Sequence, residues 1–149
     1  MKGFTLLEVL VVIVIFSIVS VAIYNVFEAG TNISDASTGL LDLTQEARTA
    51  MFRMIKEVRA ASAVTINNAS GITFSTPFAS NIQYYQSGTR LLRTDTAGSQ
   101  VLASHVSNLV FSHPGGNAAL LQVFLGVSKT VFLRPFGFSL IEQVRLRNE

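Results

Sequence analysis

The chain has 149 residues, of which 49% are hydrophobic and 13% are charged, a size that suits one modest domain in addition to an apolar segment. Its formal net charge of +2 is too small to imply strong electrostatic steering of a partner. Because the chain contains no cysteine, disulfide bonds and thiolate chemistry are excluded.

An apolar run from Val9 to Phe27 contains no charged residue and directly follows Glu8. Its aliphatic and aromatic side chains together favour membrane insertion by roughly 4 to 8 kcal/mol. Glu8 opposes insertion by less than the roughly 2.5 to 3.5 kcal/mol of a charge at mid-membrane, because it lies near the end of the run. A lone spanning segment must satisfy its own backbone hydrogen bonds, which only a helix does. The sequence therefore predicts a transmembrane helix.

The orientation of this helix follows from the charge in front of it. Lys2 is a basic residue on the short side, which predicts a cytoplasmic N-terminus and places the rest of the chain outside. A cleaved secretory signal is the alternative, since Ser20-Val21-Ala22 has the small-x-small pattern of a cleavage site. The carboxylate of Glu8 and the length of the run argue against that alternative.

The helical pattern continues beyond the membrane run. Gly30 is the expected interruption, and Ser34 or Asp35 is the expected cap of a second half that ends near Ala63. Apolar residues in this half recur at spacings of three and four, which predicts an amphipathic face that packs on a sheet. They are Leu40, Leu43, Ala47, Met51, Met54, Val58 and Ala61.

The second half also carries several basic residues, a pattern that can mark nucleic-acid binding. They are Arg48, Arg53, Lys56 and Arg59. Acidic residues interleave with them, and Arg53 and Glu57 have the spacing of an intrahelical ion pair. We therefore expect a solvated helix face and no nucleic-acid partner.

From Val64 onward, short apolar runs alternate with turn residues, which predicts one antiparallel sheet. The predicted strands are 64–66, 72–75, 82–86, 90–93, 106–111, 120–125, 130–133 and 141–147, and the predicted turns are 67–71, 86–88, 96–98 and 114–117. The last strand has one slip in its alternation near Gln143, which is the pattern of a β-bulge. The predicted fold class is α+β, with a long N-terminal helix packed on a C-terminal antiparallel sheet.

The sequence offers few residues for catalysis or metal binding. His105 and His113 are the only histidines and would need carboxylates from elsewhere to bind zinc. We expect His113 to be a turn residue and His105 a partly exposed strand residue. Tyr84 and Tyr85 should place one ring in the core and one outside. We predict no catalytic residue, no metal and no cofactor.

The segment Lys2-Gly3-Phe4-Thr5-Leu6-Leu7-Glu8, followed by an unbroken apolar helix, resembles the class III signal of type IV pilins and pseudopilins. The resemblance implies cleavage by a prepilin peptidase between Gly3 and Phe4 and N-methylation of Phe4. It also implies that Glu8 meets the terminal amine of a neighbouring subunit, which neutralises two charges where an unpaired charge is expensive. The alternative is that Glu8 snorkels to the membrane interface.

The layout beyond the helix is similar to the J-type minor pseudopilins of type II secretion and the W-type minor pilins of type IV pili. The similarity rests on the order of Ile-Thr-Phe at 72–74, Tyr-Tyr-Gln-Ser-Gly at 84–88, Leu-Leu-Arg at 91–93, Leu-Ala-Ser at 102–104, Leu-Val-Phe at 109–111 and Val-Arg-Leu-Arg-Asn at 144–148. It implies a structural subunit, not an enzyme, that joins other pilin or pseudopilin subunits in a fibre or in a tip that primes assembly.

The expected organisation is a leader at 1–3, a transmembrane and assembly helix at 4–29 in the lipid of the bacterial inner membrane, and a periplasmic or extracellular domain at 30–149. Two alternatives remain open. One is a competence or adhesion pilus subunit that contacts DNA or surfaces. The other is a single-pass anchored β-domain that binds an extracytoplasmic ligand.

Overall fold

A computed structural model describes residues 5–61, 63–131 and 134–146. The chain divides into two units, one up to Thr38 and one from Gly39 onward. The elements in chain order are helix α1 (Leu6–Arg59) and strands β1 (Ala63–Asn68), β2 (Gly71–Thr76), β3 (Ala79–Ser87), β4 (Arg90–Asp95), β5 (Gly98–Ala103), β6 (Val106–Ser112), β7 (Leu120–Val131) and β8 (Arg134–Arg145). A short 3-10 turn, Pro114–Gly116, precedes β7. The predicted α+β class is confirmed.

Helix α1 is continuous, so the predicted interruption at Gly30 and the predicted cap at Ser34 or Asp35 are wrong. A glycine inside a helix costs only about 0.5–1 kcal/mol relative to alanine, which is too little to end a long helix. The hydroxyls of Ser37 and Thr38 donate to the carbonyl oxygens one turn earlier, at 2.9 and 3.0 Å. These side chains therefore bond back along the helix, at a small cost that a continuous helix tolerates.

The C-terminal end of α1 lies at Arg59, a few residues before the predicted end near Ala63. The amides of Ala60 and Ala61 donate to carbonyl oxygens three residues earlier, at 3.1 and 3.0 Å. Such bonds tighten the last turn and end the helix. The chain then enters β1 at Ala63.

The predicted amphipathic face of α1 forms the helical side of the core, and its packing on the sheets is confirmed. The buried residues of the helix are Leu43, Ala47, Ala50, Met51, Met54 and Val58, and Ala61 just beyond it is buried as well. Leu40 is half-buried, and Ala50 is an addition to the predicted set. The period of the apolar residues therefore located this face correctly.

The strands form two antiparallel sheets instead of the one predicted. The five-stranded sheet has the order β1-β2-β3-β4-β5, and the three-stranded sheet has the order β6-β7-β8. Strand β5 was not predicted. It is an edge strand whose Ser99, Gln100 and Val101 are all exposed, so it lacks the alternation of apolar and polar residues that identifies a half-buried strand.

The three-stranded sheet differs from prediction in its two long strands. The predicted strands 120–125 and 130–133 belong to the single strand β7, with residues 132 and 133 outside the described ranges. Strand β8 pairs with β7 without a register shift, so the predicted bulge near Gln143 is wrong. The apparent slip arises because Ile141 faces outward and is 57% exposed, whereas Val144 points into the core.

Candidate functional site

The start of α1 is fixed by Thr5. Its Oγ1 accepts a hydrogen bond from the backbone N–H of Glu8 at 3.3 Å, and its carbonyl oxygen accepts from the N–H groups of Glu8 and Val9 at 3.1 and 3.2 Å. Thr-x-x-Glu is a helix-capping pattern. It places the exposed carboxylate of Glu8 in the first turn, where the helix dipole favours a negative charge. The predicted processing residues Gly3 and Phe4 lie outside the described ranges.

The turns that follow present an apolar surface. The large apolar side chains between Leu6 and Phe27 are 46% to 84% exposed. Within the described ranges, α1 is the helix that is long and apolar enough to cross a membrane, with a mean hydropathy of 3.0 over its most apolar window. The hydroxyl of Ser17 donates to the carbonyl oxygen of Ile13 at 2.8 Å and so needs no water. An exposed apolar surface of this size is typical of contact with lipid or with other apolar helices.

A second polar arrangement joins α1 to the five-stranded sheet. The Glu57 carboxylate lies 2.9 Å from Nε of Arg93 and 3.4 Å from Nε of Arg53, which confirms the predicted pair of Arg53 and Glu57. Arg53 also donates to Oε1 of Gln100 at 2.9 Å. Nearer the start of this unit, the Glu46 carboxylate accepts the backbone N–H of Ser104 at 2.7 Å. We call the side of α1 that carries Glu46, Arg53 and Glu57 the sheet-bound flank.

Three ionisable side chains near Glu57 have pKa values shifted from their ordinary range, those of Tyr84, Arg93 and Asp95. Burial disfavours the charged form of Arg93, but hydrogen bonds to Glu57 and Asp95 outweigh this effect and raise its pKa. The hydrogen bond from Arg93 lowers the pKa of the half-buried Asp95 carboxyl. Burial, followed by the nearby charge of Glu57, raises the pKa of the Tyr84 hydroxyl. Arg93 therefore stays charged and Tyr84 neutral near neutral pH, which suits a structural clasp and not proton transfer.

The tyrosines lie as predicted, since Tyr84 is buried and Tyr85 is half-buried. The ring of Tyr84 stacks on that of Phe74 with the two centroids 5.9 Å apart. The hydroxyl of Tyr84 is buried and has no hydrogen-bond partner within the described part of the chain. This phenol is close enough to Glu57 for the carboxylate to raise its pKa, but their contact lacks the geometry of a hydrogen bond.

The two histidines lie in turns, one before and one after strand β6. The prediction for His105 is wrong, because it lies in the turn between β5 and β6 with a left-handed φ of 57°. Its exposed position and the hydrogen bond from Ser128 N–H to its carbonyl oxygen, at 2.8 Å, fit a turn residue. His113 lies before the 3-10 turn, as predicted, and its Nδ1 is 2.9 Å from the carbonyl oxygen of Leu120. Over residues 5–61, 63–131 and 134–146, no three His, Asp or Glu side chains cluster as a metal site would require.

Sequence reasoning missed a groove on the other side of α1. It has a volume of about 980 Å³ and lies between the helix and strand β8. We call the helix residues Arg48, Phe52, Ile55, Lys56 and Arg59 in its wall the open flank. The signal in the sequence is that Phe52 and Ile55 widen the apolar face beyond the stripe with spacings of three and four.

Residues 1–24 match the family model for the prokaryotic N-terminal methylation motif. Comparisons with curated proteins and with solved structures gave no match. The matched residues include Gly3, Phe4 and Glu8 and extend into the apolar turns of α1, which is consistent with a single-pass membrane anchor. The motif supports a place for this chain in the type IV pilin-like family, as a substrate of prepilin peptidase that assembles with other subunits.

Proposed function

We propose that the chain is a minor pilin or minor pseudopilin, a structural subunit without catalytic activity. Prepilin peptidase cuts it between Gly3 and Phe4, Phe4 is then N-methylated, and the mature subunit joins the tip or shaft of a type II secretion pseudopilus or a type IV pilus. The methylation motif over residues 1–24, which includes most of the exposed apolar turns of α1, is the observation that carries this proposal.

Glu8 has a charge-pairing role in this proposal. Cleavage creates an α-ammonium group at Phe4, whose reference pKa is about 8. In lipid, this cation and the carboxylate of Glu8 are each expensive alone, and they neutralise one another across neighbouring subunits. The exposed position of Glu8 in the first turn of α1 leaves its carboxylate accessible to such a partner. Growth of the fibre then removes two unpaired charges from the membrane.

The proposed topology follows from the same segment. Residues 1–3 are a leader on the cytoplasmic side, 4–29 span the bacterial inner membrane, and 30–149 form the domain outside it. The minor-subunit assignment draws support from the order of the short sequence segments between Ile72 and Asn148, which resembles the layout of J-type and W-type subunits.

Mass spectrometry of the N-terminus, on protein purified from its own cell, tests the proposal. We expect a mature chain that begins with N-methylated Phe4, and we expect a Gly3→Val variant to keep Met1. A Gly30→Ala variant is the matched control, since it changes a glycine remote from the cut. An intact Met1 in the wild type, or a cut near Ala22, would contradict the proposal.

Co-purification identifies the machine. The wild-type chain should copurify with other minor subunits, and this association should be lost either in cells that lack the secretion system or in cells that lack the pilus. Association that survives both deletions would refute assembly into either fibre.

A further inference from the structure

The two flanks of α1 differ in what they contact. The sheet-bound flank is fixed to the five-stranded sheet, with Glu57 on Arg93 and Glu46 on Ser104. The open flank lies on the opposite side of the buried stripe. In the described part of the chain its three cations form no ion pair, and Phe52 is 71% exposed. One flank is therefore complete and the other lacks a partner.

The groove beside the open flank combines an apolar floor with a basic rim. Met51, Ile55, Ala60 and Leu140 supply the apolar surface. The rim carries Arg48, Lys56 and Arg59 on the helix, against the single carboxylate of Glu142 on β8. A ligand that fills this groove must therefore offer apolar groups along its length and an excess of negative charge.

Strand β8 adds a third property, a free backbone edge. All of its strand partners, from Arg134 to Arg145, lie on β7, and no other backbone group within the described ranges bonds to it. Its side chains alternate between faces, and Leu140 and Glu142 both face the groove. A further strand at this edge would direct every second side chain into the groove.

We propose that this groove binds an extended segment of another subunit, which adds to the free edge of β8 as a fourth strand. The inward residues of that segment are apolar and acidic. They cover Phe52 and Ile55 and pair with Arg48 and Lys56, while its backbone bonds to β8. The inference rests on the proposed function, because neighbouring subunits supply the segment.

An extended protein segment fits these features better than nucleic acid does. A phosphate backbone would pair with the basic rim, but Ile55 and Leu140 offer it no interaction and Glu142 repels it. The free edge of β8 matches peptide N–H and C=O groups, which is the mode of recognition by strand addition. Long uncovered edges are also a liability that folded proteins tend to cover.

Direct binding to the full chain in lipid nanodiscs tests the proposal. The probes are a labelled peptide that alternates valine and glutamate, a second that alternates valine and lysine, and a third with the first composition arranged in two blocks. We expect the alternating acidic peptide to bind on the order of tenfold more tightly than the lysine peptide, as two exposed charge pairs of roughly 0.7 kcal/mol each would produce. Hydrogen exchange should then slow in β8.

Two variants assign the binding to the groove. Arg48→Glu combined with Lys56→Glu should reverse the preference between the acidic and basic peptides. Arg90→Glu, at an exposed position on β4, is the matched control and should leave the preference unchanged. Phe52→Ser should weaken the binding of both alternating peptides. Because the Phe52 side chain is largely exposed, the variant should still fold, and an unchanged far-UV circular dichroism spectrum would verify this.

Several results would overturn the proposal. One is equal affinity of the chain for the three peptides, and another is hydrogen exchange that slows only outside β8. A third is a DNA duplex that binds more tightly than the peptides in a way that depends on Arg48 and Lys56. A fourth is self-association of the chain that excludes the peptide. The assay needs neither cleavage at Gly3 nor fibre growth. Its failure would therefore leave the proposed function intact, and an uncleaved chain in the cell would leave the peptide result intact.

Discussion

Nε of Arg93 lies 2.9 Å from Oε2 of Glu57, and this contact joins strand β4 to helix α1 across 36 residues of sequence. The two side chains are 11% and 22% exposed. An ion pair so enclosed is costly to break from one side, because the remaining charge loses its partner but stays largely removed from water.

Removal of Arg93 should therefore destabilise the domain. We expect Arg93→Leu to lower the free energy of unfolding by about 2 to 3 kcal/mol, less than a fully buried pair because Glu57 retains some contact with water. The measurement is thermal unfolding of the full chain followed by circular dichroism. Arg90→Leu on the same strand is the control, and equal losses for the two variants would refute the role of the pair.

Tyr84→Phe should stabilise the protein by about 1 kcal/mol, since it removes a buried hydroxyl that bonds to nothing described. The variant also tests the raised pKa of Tyr84. A raised pKa in the folded state adds stability below the unfolded pKa near 10, and that stability is lost as the pH rises above it. The wild type should thus lose stability in alkali more steeply than Tyr84→Phe, whereas Tyr85→Phe should behave like the wild type.

The same glycine substitution should have opposite effects at two positions. Gly30→Ala should protect amides near it in α1, because alanine stabilises a helix interior by about 0.5–1 kcal/mol and nothing lies within 4 Å of the added carbon. Gly88 has equally open surroundings but a φ of 58°, so Gly88→Ala should destabilise the turn between β3 and β4 by about 1 kcal/mol. Hydrogen exchange measures both, and effects of the same sign would contradict the argument.

Glu8→Leu should insert in the membrane but fail to assemble, because it offers no carboxylate to the amine of Phe4 in the next subunit. Membrane fractionation reports insertion, and recovery of sheared fibres or of the tip complex reports assembly. Glu28→Leu is the control for the loss of an acid in the same helix. Normal assembly of Glu8→Leu in its own cell would rule out the charge-pairing role.

The sequence predicted the features that depend on local repetition. The buried face from Leu43 to Val58 follows from apolar spacing, and the apolar turns after Glu8 follow from hydropathy alone. Strand β5 escaped prediction because an exposed edge strand carries no alternation. The contact of Glu57 with Arg93 was not predicted either. Spacing along the helix predicts the pair of Glu57 with Arg53, but it cannot predict a contact with a residue on a distant strand.

The hydrogen bonds that begin α1 have a consequence for maturation. Those within the described part of the chain come from Thr5 and residues after it, downstream of the proposed cut between Gly3 and Phe4. Removal of the leader would therefore leave the first helical turn with its own donors and acceptors. Processing at that site would alter the charge at the terminus, and the hydrogen bonds of Thr5 with Glu8 and Val9 would already be in place in the precursor.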